Sequence, residues 1–205
     1  NTHTGAAATL HWYGSDQVTV EIQAQANSSN VPLRATRAGV RGNELQVSGS
    51  YRWDESRRLT AGAGMLDLDD DNLRQQLQLG YHWRLRNGSR HKLLADVRGY
   101  ASRNSETGRA YYNPRSDAQA AAALTHEWRV FRHYRRELTQ RFGLEVGSYW
   151  QRDFGSGNVW TLSLGHDWML GPRTRLGYGA SIGGRVYDGE RERVEAVHLS
   201  LEQRL

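Results

Sequence analysis

LRQQLQLGYHWRL, residues Leu73 to Leu85, is the stretch that decides the fold. Its odd positions are Leu73, Gln75, Leu77, Leu79, Tyr81, Trp83 and Leu85; its even positions are Arg74, Gln76, Gln78, Gly80, His82 and Arg84. Side chains alternate faces along a strand, so the segment has one apolar and one polar face. It is far longer than an ordinary strand of about 5–6 residues. Tyr81 and Trp83 end its apolar face beside a turn, where a membrane-interface belt places aromatics. A soluble sandwich strand shares the alternation, but the length and the terminal aromatics favour a transmembrane β-strand.

The same alternation recurs along all 205 residues. Ala6 to Tyr13 puts Ala6, Ala8, Leu10 and Trp12 on one face, and Gln17 to Gln25 returns with Val18, Val20, Ile22 and Ala24. Glu44 to Trp53, Arg58 to Leu66, the opening segment and His91 to Arg103 follow. Then come Asp117 to Val130, Leu138 to Gln151, Val159 to Leu170, Thr174 to Tyr187 and Arg193 to Leu205, the last with Val197, Leu199, Leu201 and Leu205 outward. Asn87-Gly88 is the strongest two-residue hairpin signal. The expected fold is all-β, an antiparallel up-and-down transmembrane barrel of which about eleven strands are visible. Short turns (Gly14–Asp16, Asp54–Arg57, Leu85–Ser89, Phe131–Arg135, Gly171–Arg173) are expected to alternate with longer loops (Asn27–Asn43, Asp67–Asn72, Asn104–Ser116, Asp153–Asn158, Asp188–Glu192). Trp12, Trp53, Trp83, Trp128 and Trp168 precede short turns, while Trp150 and Trp160 flank a longer one, which reads as two aromatic girdles.

Composition sets the other bounds. A mean hydropathy of −0.76 leaves no room for a transmembrane helix, yet a barrel carries its membrane signal only in every second residue. With no cysteine there are neither disulfides nor thiolate metal sites. Lys92 is the sole lysine, and the arginines are scattered among acids, so no phosphate-binding stripe forms and no nucleic-acid partner is expected. No leader is visible, and any leader is expected upstream. Bacterial single-chain barrels have even strand numbers, so with an odd set of strands residues 1–205 read as the C-terminal part of a larger barrel.

Polar-face parity selects Glu21, Glu44, Asp96, Glu127, Glu145, Asp167 and Glu202 among the acids. Among the bases it selects Arg52, Arg74, Arg84, Arg98, Arg129, Arg141, Arg175, Arg185 and Arg204. Many such charges pair across strands; some carboxylates are read as a track for a cationic or hydroxyl-rich ligand. Tyr13, Tyr100 and Tyr149 share that parity and are suited to stacking on sugar rings. His198, Ser200 and Glu202 have the residue types of a hydrolase triad, but neighbours on one strand face lie roughly 6–7 Å apart, and nothing orients a base. No catalytic residue, cofactor or metal site is expected.

Tyr100 to Trp160, with its ASRN…YYNPRSD loop, resembles the poly-β-1,6-N-acetyl-D-glucosamine export porins, the PgaA/HmsH family. VPLRATRAGV (Val31–Val40), YRWDESRRLTAGAGMLDLDDDN (Tyr51–Asn72) and RVYDGERE (Arg185–Glu192) fit in the same order. The resemblance implies a barrel of sixteen strands in the bacterial outer membrane. It also implies a periplasmic tetratricopeptide-repeat region, absent here along with the N-terminal strands, that receives partially de-N-acetylated polymer from a periplasmic deacetylase. The seven carboxylates above would meet the cationic polymer. Arg34, Arg37, Tyr111, Tyr112, Asn113 and Pro114, on the two long loops, are the gate candidates. Family members commonly end on an aromatic residue where this chain has Leu205. The rivals are an exporter of cellulose or a galactosaminoglycan, and a soluble carbohydrate-binding β-sandwich.

Overall fold

A computed structural model describes residues 4–203; Arg204 and Leu205, both assigned a face above, lie outside the described residues. The elements are β1 (Ala6–Tyr13), β2 (Val18–Ala26), α1 (Leu33–Arg37), β3 (Gly42–Asp54), β4 (Arg57–Leu68), β5 (Leu73–Asn87) and β6 (His91–Asn104). They continue as β7 (Ser116–His133), β8 (Arg136–Gln151), β9 (Gly155–Met169), β10 (Thr174–Tyr187) and β11 (Glu190–Gln203). The strands hydrogen-bond in chain order, β1 to β11, in one sheet. Two compact units can be distinguished. The first holds the residues up to Tyr81, with Arg98–Gln119 and Trp150–Gly155; the second holds His82–Val97, Ala120–Tyr149 and the residues from Ser156 on.

In the first unit the register sorts residues into rows. Leu10, Ile22, Val47 and Ala63 form one row of the apolar face, and His11, Glu21, Ser48 and Gly62 the next row, on the polar face. A slip of one residue would exchange the two faces of every strand. In the second unit Leu164, Ala180 and Val197 make an apolar row, as do Trp168, Leu176 and Leu201. Arg193 and Glu195 have the same parity but pair with each other at 2.6 Å, in rows with Trp160 and Ile182. The apolar band therefore ends there, at the level of an aromatic residue. Two of the tryptophans pack in aromatic clusters: Trp53 meets Tyr51 and Tyr81 edge-on, and His91 lies parallel to both His126 and Trp128.

The apolar face is exposed. Trp12, Trp53 and Trp83 keep 57%, 42% and 45% of their surface, so among the described residues no second sheet covers them as a sandwich requires.

The expected alternation of short and long connections is corrected in part. Residues 27–41 and 105–115 are long, but β9 starts at Gly155 and β11 at Glu190, leaving tight turns where longer loops were expected. Asp188 and Gly189 both take positive φ (48° and 80°), the geometry of a two-residue turn whose twist matches its strands. Asp153 and Gly155 do similar work at φ 74° and 80°. Neither Asn87 nor Gly88 has a positive φ; instead the Gly88 amide donates to the His91 carbonyl at 2.9 Å across a three-residue turn, residues 88–90. The hairpin forms, without the two-residue turn its dipeptide suggests.

Candidate functional site

Two features stand on the polar face, one in each unit. The first is built by the two long loops. Leu66 and Leu68 end β4 with polar-face parity, since Leu66 lies opposite Glu44. They are nevertheless buried, because Val31, Ala35 and Tyr111 pack onto them with Val40 alongside. α1 thus folds over the polar face rather than away from it. Its capping residue is Pro32, and Arg34 and Arg37 remain exposed on its outer side.

Tyr111 ties the second loop into the same cluster. Its ring sits in the apolar group, while its hydroxyl donates to Asp70 at 3.0 Å and accepts from the Asn72 side-chain amide at 3.0 Å. Asn72 is fully buried; it also donates to Asn104 Oδ1 (3.1 Å) and accepts from the Glu106 amide (3.2 Å). Asn104 donates to the Pro114 carbonyl at 2.7 Å, and Asn113 bridges Arg109 and Glu106 within the loop. The Tyr112 hydroxyl donates to Gln151 at 3.0 Å. Burial pushes the Tyr111 hydroxyl above its ordinary value; Asp70 adds to this, while the Asn72 amide and Arg109 oppose it. The phenol stays protonated and keeps its donor role. Of the gate candidates, Tyr111, Asn113 and Pro114 are buried and Tyr112 half-buried, so this loop is held by a satisfied polar network. The sequence carried a signal for this that periodicity alone passes over: leucines in polar register opposite a loop containing Val31, Ala35 and Val40.

The second feature is a charge ladder. Arg141 lies 3.0 Å from Glu127 and 3.0 Å from Asp167, and Lys92 lies 3.9 Å from Glu127. In the same unit His82 meets Asp96 at 2.7 Å and Arg129 meets Glu137 at 3.0 Å. Glu145 and Glu202 also interact with other groups, as does Tyr149, which is buried. In the first unit Glu21 pairs with His11 at 3.2 Å, while buried Glu44 accepts from Ser28 (2.6 Å) and Asn30 (2.8 Å). Glu21, Glu44, Asp96, Glu127 and Asp167 thus each stand beside a basic side chain, a hydroxyl or an amide. Tyr13 is exposed and stacks on His11; the Tyr100 hydroxyl donates to Asp117 at 3.1 Å. Ser200 gives its hydroxyl to the Gly177 carbonyl at 3.5 Å, and Glu202 lies opposite Arg175 in register, so no triad geometry forms around His198. No cluster that could hold a metal occurs among the described residues.

The PgaA membrane beta barrel domain model matches residues 1–205. The chain belongs to that family. It is 29% identical over 195 residues to the poly-beta-1,6-N-acetyl-D-glucosamine export proteins of Escherichia coli K12 and O157:H7, covering 93% of this chain and 24% of theirs. It thus spans about a quarter of the length of those curated relatives. Among solved structures it is similar to a bacterial polysaccharide outer membrane secretin, with a TM-score of 0.90 and 26% identity over 98% of this chain and 69% of that one. The PgaA-type strands lie in the bacterial outer membrane. In barrels of this kind the apolar face of each strand meets lipid.

A lipid-face test follows from this placement. Leu77 lies mid-strand on the apolar face of β5 and is 63% exposed. Leu77→Arg should cost about 2–4 kcal/mol of folding stability, the range for Arg near the bilayer midplane. Denaturant titration in vesicles reads this directly; wild-type stability would place Leu77 away from lipid.

Proposed function

We propose that the chain forms part of the wall of an outer-membrane conduit that exports partially de-N-acetylated poly-β-1,6-N-acetyl-D-glucosamine for a biofilm matrix. The observation that carries this reading is the 29% identity to the named export proteins across 93% of the chain. The lumen face supports it, because a wet wall of paired charges, amides and hydroxyls offers weak, repeated contacts to a passing polymer. Glu21, Glu44, Asp96, Glu127, Glu145, Asp167 and Glu202 are proposed as the acidic members of that path, with Tyr13, Tyr100 and Tyr149 as its aromatic contacts. Residues 27–41 and 105–115, pinned at Tyr111, are proposed as the constriction, with Arg34 and Arg37 at its surface and Tyr112, Asn113 and Pro114 holding the second loop in place. Translocation makes and breaks no covalent bond, so the path needs no catalytic residue.

Two extensions belong to the same reading. Eleven strands matching 69% of the solved chain scale to about sixteen, an even number as such barrels require. Further strands would then pair with β1 and β11, covering edges that otherwise offer open backbone groups. A periplasmic repeat region delivering polymer from a deacetylase is assigned to sequence outside this chain.

The test is complementation. A bacterium lacking its own exporter should regain surface hexosamine polymer when the full-length protein is supplied. A correctly inserted barrel that restores none, or that restores cellulose or a galactosaminoglycan instead, contradicts the substrate.

A further inference from the structure

The charges on the lumen face are unevenly spread. In the first unit the polar rows of β2 to β4 read, at mid-strand, Gln23, Gln46 and Gly64, then Glu21, Ser48 and Gly62, then Thr19, Ser50 and Thr60. Thr19 and Ser50 share a hydrogen bond of 2.8 Å, and Gln76 and Gln78 of β5 continue the patch. Beside it lies an open pocket of about 310 Å³ whose polar lining is Ser48, Thr60, Gln78, Arg98, Tyr100 and Gln119. No carboxylate lines it. Of the neighbouring acids, Glu21, opposite Ser48, pairs with His11 at 3.2 Å, and Asp117 is 2% exposed and accepts from the hydroxyls of Tyr100 and Ser102.

Two glycines shape this wall. A Cβ on Gly62 would meet the Gln78 amide nitrogen at 2.7 Å, and one on Gly80 would meet the Thr60 hydroxyl at 2.6 Å. Their absence lets the Gln78 side chain lie against β4 and brings the Thr60 hydroxyl close to the β5 backbone. The Tyr100 ring is held by its bond to Asp117 and keeps 37% of its surface. The pocket thus combines a fixed aromatic face, two carboxamides, two aliphatic hydroxyls and one guanidinium. A carboxamide donates and accepts at once, matching an acetamido group on both its N–H and its C=O. An aromatic face suits the apolar face of a pyranose ring. A protonated amine meets no carboxylate in this lining. The volume lies at the small end of ligand pockets, roughly 300–1,000 Å³, which fits a single sugar residue rather than a chain.

We propose that this pocket is a subsite for a neutral, N-acetylated sugar residue, separate from the carboxylates. It rests on the exporter reading above and divides that reading's substrate: acetylated residues contact the amide wall, amine-bearing residues the acids.

The test is block of single-channel current in the full-length protein by two probes, fully N-acetylated and fully de-N-acetylated β-1,6-glucosamine oligomers. Gln78→Ala should weaken block by the acetylated probe about tenfold, the loss of one or two hydrogen bonds, and leave the amine probe within about twofold. Gln78→Glu, which keeps the shape and adds a charge, should weaken the acetylated probe and tighten the amine probe. Thr60→Val is a second variant expected to act in the direction of Gln78→Ala, and each variant is checked for the heat-modifiable band of a folded barrel. Equal change for both probes, or none for either, overturns the subsite. A wild-type channel blocked only by the amine probe overturns the subsite and leaves the exporter standing. A wild-type channel indifferent to both overturns the two together.

Discussion

Tyr111→Ala should open the conduit. The ring is the piece of residues 105–115 that sits in the cluster of Val31, Ala35, Leu66 and Leu68, and its hydroxyl bridges Asp70 and Asn72. Truncating a buried aromatic to alanine costs about 3–5 kcal/mol, and it leaves the fully buried Asn72 amide short of a partner. Both loops lose their shared contact, so conductance of the full-length protein should rise and protease should cut within residues 105–115. Tyr111→Phe separates the two contributions. It keeps the ring and removes the hydroxyl, at about 1–3 kcal/mol for the stranded polar groups, and should loosen residues 105–115 less. Wild-type conductance and protease resistance in Tyr111→Ala would contradict the constriction.

Arg141→Gln should make the lumen more acidic. One guanidinium stands 3.0 Å from both Glu127 and Asp167, and Lys92, at 3.9 Å from Glu127, is the weaker partner. In the proposed conduit, removing the cation strips Asp167 of its arginine and leaves Glu127 with the more distant Lys92. Reversal potentials in a salt gradient should shift toward cation selectivity. Block by the amine oligomer should tighten by about three- to tenfold at low salt and fade near 1 M, where screening shortens to about 3 Å. Arg141→Lys, which keeps the charge, should stay near wild type. An unchanged reversal potential in Arg141→Gln would show that these acids do not face the conducting path.

Periodicity in the sequence identifies the strands well, because a wall with lipid on one side and water on the other forces strict alternation. β1 and β10 match the expected bounds of Ala6–Tyr13 and Thr174–Tyr187. Other strands run past their expected ends, as β7 does to His133 and β9 does back to Gly155, since backbone pairing continues beyond the apolar band. Loop conformation was less legible. Asp153 and Asp188 close turns through positive φ, which no apolar pattern reports. The inward fold of α1 depends on contacts between segments far apart in the chain, Val31 with Leu68 and Tyr111. Parity assigns the carboxylates a face but says nothing of partners. The pairing of Glu127 and Asp167 with one arginine emerges only from register between β7, β8 and β9.

The measurement that bears most directly on the account is single-channel conductance of the full-length protein in planar bilayers, titrated with de-N-acetylated and fully acetylated β-1,6-glucosamine oligomers. A channel that both oligomers block is expected, with Glu127→Gln or Asp167→Asn weakening the amine-bearing one selectively. An open channel indifferent to both sugars would contradict it and leave only a barrel in the outer membrane.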